Sequence, residues 1–258
     1  MGKMAQAIWV GLKETGLCVS QEIAYYDIST QQCDFVEKTH QLQYLSISEL
    51  VPFADVIIFC VKPQNIGQLL LDFPRNHLEK KMLVSILAGI TIEKYEQYLG
   101  KNIQMVRVMP NTPALIHAGM TALAFNANVT EKNKLFASDI FQSLGEIQMV
   151  DEHHMDAVTG ISGSGPAFIY RLAHDIALTG ELEGLDYQVA LKLIAQTFVG
   201  AGAMLQDSGK LPDELIKDVS SPNGTTVAGL TMFDNTNIDS DIKKVITAAI
   251  VRSKELGK

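Results

Sequence analysis

The stretch Ser220-Ser221-Pro222-Asn223-Gly224-Thr225-Thr226 gathers hydroxyls and a glycine just ahead of a helical pattern. Main-chain N–H groups at a helix start, joined by such hydroxyls, can surround an anion without a lysine. An ordinary Ser/Thr helix cap would use the same residues. Asn223 tolerates a left-handed turn better than other non-glycine residues. A second stretch, Thr159-Gly160-Ile161-Ser162-Gly163-Ser164-Gly165-Pro166, carries too little side chain to fill a core. It allows a backbone to approach another object closely, and Pro166 can open the helix that follows. Tight packing between helices and contact with a ligand both fit it. Thr159 and Ser164 are its polar candidates.

Val61-Lys62-Pro63-Gln64 and Arg107-Val108-Met109-Pro110-Asn111-Thr112-Pro113-Ala114 each follow or end an apolar run. Ligands of open α/β sheets bind outside the carboxyl ends of the strands. Val61, Lys62, Pro63 and Asn111 therefore line a candidate cofactor crevice, together with Ala88 and Gly89 after another strand. For Lys62 a structural ion pair fits equally well, and Pro63 mainly fixes the turn. Asp27 ends the second strand pattern, where a carboxylate accepts from a ribose 2′-OH and repels a 2′-phosphate. Ser29 or Thr30 could still serve a phosphate there. At the start, Gly2-Lys3-Met4-Ala5 fits the second and third small positions of a glycine-rich pyrophosphate turn, with Gly2, Lys3 and Met4 nearest the phosphates. The first glycine of that turn and the strand before it are absent from the sequence.

The elements that position these residues alternate through the first half. Helix signals cover 4–12, 64–71, 92–99 and 131–144; strand signals cover 22–27, 42–46, 82–87, 103–108, 121–125 and 147–150. Asp55-Val-Ile-Ile-Phe-Cys-Val61 is the continuous apolar run of a parallel strand buried on both faces. Such alternation predicts a doubly wound sheet with right-handed crossovers. Beyond Pro166 the pattern is helical, over 167–178, 187–206, 212–219, 225–233 and 238–256. So many apolar helix faces in one domain predict a partner subunit. The expected division is a dinucleotide-binding domain at 1–152 and a helical substrate-binding and dimerisation domain at 153–258.

A formal charge of −8 argues against nucleic acid or an anionic membrane surface as partner, and leaves any anionic substrate dependent on a local device. Cys18, Cys33 and Cys60 lack metal-ligand spacing, which suggests reduced thiols in a cytoplasmic protein. No continuous apolar run approaches ~18 residues. Asp151-Glu152-His153-His154-Met155-Asp156 is expected to be a solvated connector whose adjacent histidines do not converge, so no metal is expected. His117 and His174 read as surface or core histidines.

The order and spacing of 61–64, 107–114, 156–166 and 220–226 resemble the pyrroline-5-carboxylate reductase family. The likeness runs from Gly2 to Arg252-Ser253-Lys254-Glu255-Leu256, essentially the whole chain. It implies reduction of the cyclic imine 1-pyrroline-5-carboxylate to L-proline by NADPH or NADH, the last step of proline biosynthesis. It also implies a Rossmann-like doubly wound sheet, here without its first strand, followed by an all-helical domain that interlocks two subunits. Dimers can assemble further, and decamers occur in the family. Thr226 matches the family threonine near the imine nitrogen and Thr225 its neighbour on the substrate. Ser221 and Gly224 complete the substrate loop, with Thr159 and Ser164 nearby. Asn223 stands where the family usually has glycine. Many members carry small hydroxyl or basic residues near position 27, so the family favours NADPH where Asp27 favours NADH.

Two other readings compete. A β-hydroxyacid dehydrogenase would need a lysine on the first helix after the glycine-rich stretch, and none lies between Lys134 and Lys192. A non-catalytic paralogue, acting as a binding or scaffold protein, is motivated by the absent first strand, whose loss would expose ladder groups. A start set several residues too late accounts for the same absence and agrees with the intact downstream motifs.

Overall fold

The structure, a computed structural model, describes residues 1–76 and 78–257. By packing, the chain divides into Met1–Ser164 with Ala248–Lys258, and Gly165–Thr247. The expected division at 152/153 differs from this. Met155 is buried against Ala122 and Ala124, which keeps the connector with the first unit.

In the first unit, α1 (Lys3–Glu14) follows Gly2 directly, and the described residues hold no strand ahead of it. Its Ala7, Ile8 and Leu12 pack into the cluster around Val84, Val106 and Phe141. Trp9, on another face, packs with Tyr25, Val36 and Leu42. One helix thus covers two separate sheets. The smaller is the parallel pair β1 (Ala24–Tyr25) and β2 (Gln43–Tyr44). It is joined by α2 (Thr30–His40), which the Ser29 hydroxyl caps and Gln41 ends in a left-handed conformation.

After α3 (Ile47–Phe53) comes the larger sheet: β3 (Val56–Phe59), α4 (Ile66–Leu71), β4 (Met82–Ser85), α5 (Ile92–Leu99) and β5 (Gln104–Met109). It continues through β6 (Gly119–Phe125), α6 (Glu131–Gln142) and β7 (Gly145–Met149), with the strands side by side in chain order. Leu83, Val84, Met105 and Val106 are wholly buried, as strands covered on both faces require. β3, β4 and β5 are parallel, but β6 runs antiparallel to β5. The uniform crossover pattern fails here because Pro110–Ala118 is too short for a parallel return, which takes about a dozen residues or more. A short 3₁₀ segment, Thr112–Ile116, makes the turn instead. α7 (Met155–Val158) then leads into a π-helical turn, Thr159–Gly163.

The second unit takes α8 (Gly165–Leu182), α9 (Tyr187–Asp207), α10 (Pro212–Asp218), α11 (Thr225–Asp234) and the first half of α12 (Ile238–Leu256). Among its described residues the buried apolar side chains are small: Pro166, Ala173, Ala177 and Ala190. Leu182, Leu193, Val199 and Phe233 are all more than half exposed. Three alanines and a proline cannot supply a core for these helices, so their apolar faces need a partner. Although no continuous apolar run is that long, α9 taken whole is long and apolar enough to cross a membrane by length and composition.

Candidate functional site

The first group of candidate residues lies at the start of α1, after β1, and in the turns after β3, β4 and β5, where Phe59, Ser85 and Arg107 stand in register. Gly2 caps α1 in an extended conformation, no side chain satisfies the helix start, and its first turn holds no acid. A β-carbon on Gly2 would meet nothing within 4 Å. Free amides and open space suit a pyrophosphate. Lys3 is exposed and Met4 half-buried beside it. The Met1 ammonium pairs with Asp27 at 2.5 Å, which brings the start of α1 to the end of β1.

Asp27 accepts at its other oxygen from the Ser29 N–H at 2.9 Å, which organises the capped start of α2. An open surface pocket of about 520 Å³ lies there, and Tyr26, Asp27, Thr30, Glu37 and Tyr44 line it. Its lining carries two carboxylates and no Lys or Arg.

After β3, Val61 and Lys62 are exposed and Pro63 opens a 3₁₀ turn in which the Asn65 N–H donates to Lys62 carbonyl at 2.9 Å. Lys62 has no ion pair among the described residues, so the structural use weighed for it finds no partner. Burial pushes the neighbouring Cys60 thiol up to about 12, which leaves it a thiol and no nucleophile at neutral pH. After β4, Ala88 and Gly89 form a tight turn with Gly89 at φ +79°, where a glycine is favoured. After β5, Asn111 braces two segments. Its Nδ2 donates to the Ser162 hydroxyl at 3.3 Å, and its Oδ1 accepts from the Met120 N–H at 3.0 Å.

Asn111 thereby meets the glycine-rich turn. The Ser164 N–H donates to Thr159 carbonyl at 2.8 Å, closing the widened π ring that often marks functional sites. A β-carbon on Gly163 would sit 2.4 Å from the Met109 methyl carbon, so this glycine serves close packing in the structure. Thr159 is buried and its hydroxyl donates to Met155 carbonyl at 2.8 Å, which leaves only its lone pairs for another contact. Ser164 is half-buried.

The substrate loop lies in the second unit. Asn223 adopts φ +59°, as its residue type predicts. Gly224, not a hydroxyl residue, stands at the start of α11, and no side chain caps the helix. The simpler reading as a Ser/Thr cap is therefore set aside. The Gly224 N–H donates to Ser221 carbonyl at 2.9 Å, and a β-carbon on Gly224 would sit 2.5 Å from the Ser221 hydroxyl oxygen. Ser221 and Thr225 are exposed, and Thr226 is half-buried in the first turn. An uncapped helix start ringed by hydroxyls can hold a small carboxylate.

Sequence reasoning missed one polar network in the first unit. Arg107, buried within β5, reaches Glu152 and Asp156, each at 3.3 Å. Asp156 also accepts from the Ser253 hydroxyl at 2.7 Å, and Glu152 from the Ile92 N–H at 2.6 Å. A lone arginine inside the apolar run 103–108 was the available signal. The Asp151–His154 connector also corrects an expectation. Candidate ligand atoms of Asp151, His153 and His154 come within 4.8 Å of one another, because a 3₁₀ turn over Glu152–His154 bunches the side chains. All three are exposed, and nothing else in the structure points to a bound ion there.

Comparison with known proteins gives matches over the whole chain. Residues 152–256 match the model for pyrroline-5-carboxylate reductase dimerisation, and residues 1–89 that for F420-dependent NADP oxidoreductases. The chain is 32% identical to pyrroline-5-carboxylate reductase 2 of Bacillus subtilis, over 99% of this chain and 92% of that protein. It is 34% identical to pyrroline-5-carboxylate reductase of Pisum sativum, over 99% and 93%. Among solved structures, Plasmodium falciparum pyrroline carboxylate reductase with NADP bound superposes with a TM-score of 0.89 at 31% identity, covering 100% of this chain and 95% of that one. The Coxiella burnetii pyrroline-5-carboxylate reductase gives 0.89 at 30%, covering 100% and 96%.

Proposed function

The chain belongs to the pyrroline-5-carboxylate reductase family, and on that footing we propose that it reduces 1-pyrroline-5-carboxylate to L-proline at the expense of NADPH or NADH. The uncapped start of α11, framed by Ser221, Gly224, Thr225 and Thr226 with no cation in the loop, is the observation that carries this reading. It is a device for a small carboxylate in a protein whose overall charge repels anions.

When bound, the reduced nicotinamide supplies a hydride to the imine carbon. The chain's own groups do the holding. The free amides at the start of α1 take the pyrophosphate, and Gly2 leaves room for it. Val61–Pro63, Ala88–Gly89 and Asn111 line the crevice at the ends of β3, β4 and β5. The amides of α11 and the Ser221 and Thr225 hydroxyls orient the substrate carboxylate. The Thr226 hydroxyl accepts from the iminium N–H and keeps that proton in place as the carbon is reduced. A protonated imine is already an electrophile, so orientation supplies most of the catalysis and no strong acid or base is required.

Nothing among the relatives favours a non-catalytic scaffold role. The dimerisation region makes the chain a homo-oligomer. We assign the apolar surface of α9 to that subunit contact, not to a membrane, with dimers assembling further to a decamer in a cytoplasmic setting. Light scattering on the purified protein tests the assembly. Loss of nicotinamide absorbance on addition of 1-pyrroline-5-carboxylate tests the activity; a folded, oligomeric protein with no turnover on either cofactor would overturn the assignment.

A further inference from the structure

The turn Ile86–Thr91 after β4 is held from several sides, and the contacts come from distant parts of the chain. At its start, the Leu87 N–H donates to the Ser85 hydroxyl at 3.2 Å, and that oxygen also accepts from the Tyr95 hydroxyl at 2.6 Å. Beyond it, Glu152 accepts from the Ile92 N–H at 2.6 Å. Arg107 reaches both Glu152 and Asp156, and Asp156 accepts from the Ser253 hydroxyl at 2.7 Å. The end of α12 is so placed that a β-carbon on Gly89 would sit 2.3 Å from the Ser253 carbonyl oxygen. A β-carbon on Gly257 would likewise lie 2.3 Å from Gly89 carbonyl.

These contacts are built, not incidental. Arg107 and Ser253 are only 3% and 2% exposed. Buried charges persist where partners and hydrogen bonds satisfy them, and Arg107 has two carboxylates, each contacting it through an oxygen that also accepts from the Ile92 N–H or the Ser253 hydroxyl. Gly89 is required both by its positive φ and by the backbone against it, so the turn cannot drift without meeting α12.

We propose that Ser253 and the end of α12, through Asp156 and Arg107, are positioning elements for the Ala88–Gly89 turn, and that they set its geometry toward the nicotinamide cofactor. The inference rests on the reading that this turn lines the cofactor. Ser253 and Arg107 touch the turn and its supports, not the reacting atoms.

The test uses the full-length enzyme and three variants, with KM for NADH and NADPH, KM for the imine, kcat and Tm recorded for each. Ser253→Ala should raise the cofactor KM roughly tenfold, the value of one hydrogen bond to a charged group. The imine KM should stay within about twofold, and Ser253→Thr should restore the cofactor KM, since a hydroxyl returns. Ala88→Glu tests the reading beneath, because a carboxylate in a cofactor-lining turn must repel the phosphates. If Ala88→Glu raises the cofactor KM while Ser253→Ala leaves it unchanged, the positioning role is wrong. If Ala88→Glu leaves it unchanged, the turn does not line the cofactor. A fall in Tm with both KM values unmoved assigns Ser253 to stability alone and overturns the proposal.

Discussion

Asn111 and Ser162 lie 51 positions apart in sequence, yet the Asn111 amide donates to the Ser162 hydroxyl at 3.3 Å. The other end of the same amide accepts from the Met120 N–H at 3.0 Å. One side chain thus ties the turn after β5 to both β6 and the π-helical turn.

The two halves of that amide separate by substitution. Asn111→Asp keeps the acceptor for Met120 and loses the donor to Ser162. It should leave Tm nearly unchanged while kcat/KM falls about tenfold, because a mispositioned site costs rate before it costs stability. Asn111→Leu removes both bonds and should also cost about 1 kcal/mol, or ~2–4 °C in Tm. Equal activity in the two variants and the wild type, in steady-state assays, would contradict a bracing role.

Removing a single hydroxyl tests the substrate loop. Thr226→Val keeps the shape of the side chain and should lower kcat roughly a hundredfold, with the cofactor KM unmoved. Thr226→Ser should retain most of the activity. Gly224→Ala acts differently: its β-carbon would meet the Ser221 hydroxyl oxygen at 2.5 Å and turn that hydroxyl away. Gly224 is at φ −77°, which alanine adopts readily, but the β-carbon would also lie 3.0 Å from the Ser221 carbonyl oxygen, so the loop must shift and the loss should appear in the imine KM, several-fold. A cofactor KM that shifts as much as the imine KM would place this loop elsewhere in the chemistry.

Cofactor preference turns on Asp27. The pocket beside it is lined by Asp27 and Glu37 with no Lys or Arg, so a 2′-phosphate would meet Glu37 and an Asp27 already paired with the Met1 ammonium. The Asp27 carboxylate taken alone favours NADH, and kcat/KM measured with each cofactor decides the preference of the wild type. Asp27→Ser should shift the ratio toward NADPH by about tenfold, as one like-charge contact is removed. A strong NADPH preference in the wild type would sink this reading, whatever the variant does.

Much of this architecture is written in local periodicity. α5 at 92–99 and α12 at 238–256 repeat their apolar positions clearly enough to be read to the residue. α2 escapes such reading because Val36 is its only buried residue, and α3 because Pro52 lies inside it. The reversal of β6 was hidden for another reason: strand direction depends on the length of a connection, while periodicity looks the same either way. The site divides similarly. Clusters of glycine and hydroxyl residues announce themselves, as at 159–166 and 220–226. The partners of Arg107 lie 45 and 49 positions away, and such distant pairing leaves no local pattern to find.

Stability below neutral pH should depend on His40. Its Nε2 is buried with no hydrogen-bond partner, and its ring stands edge-on to Phe35 at 5.9 Å. Burial first, and then the charge of Lys13, hold the imidazole below its ordinary value. Its place in the last turn of α2 would favour the charged form, but desolvation outweighs the helix dipole here. The sign follows: the unfolded chain takes up the proton first as pH falls. The contribution of neutral His40 is therefore complete above about pH 6.5 and is lost as pH drops through the unfolded value toward the lower folded one. Thermal unfolding followed from about pH 7.5 to 5.5 should show Tm falling more steeply in the wild type than in His40→Gln. Other groups titrate equally in both proteins, so the difference between the two curves isolates this residue. Parallel curves would show that His40 is solvated in the folded enzyme.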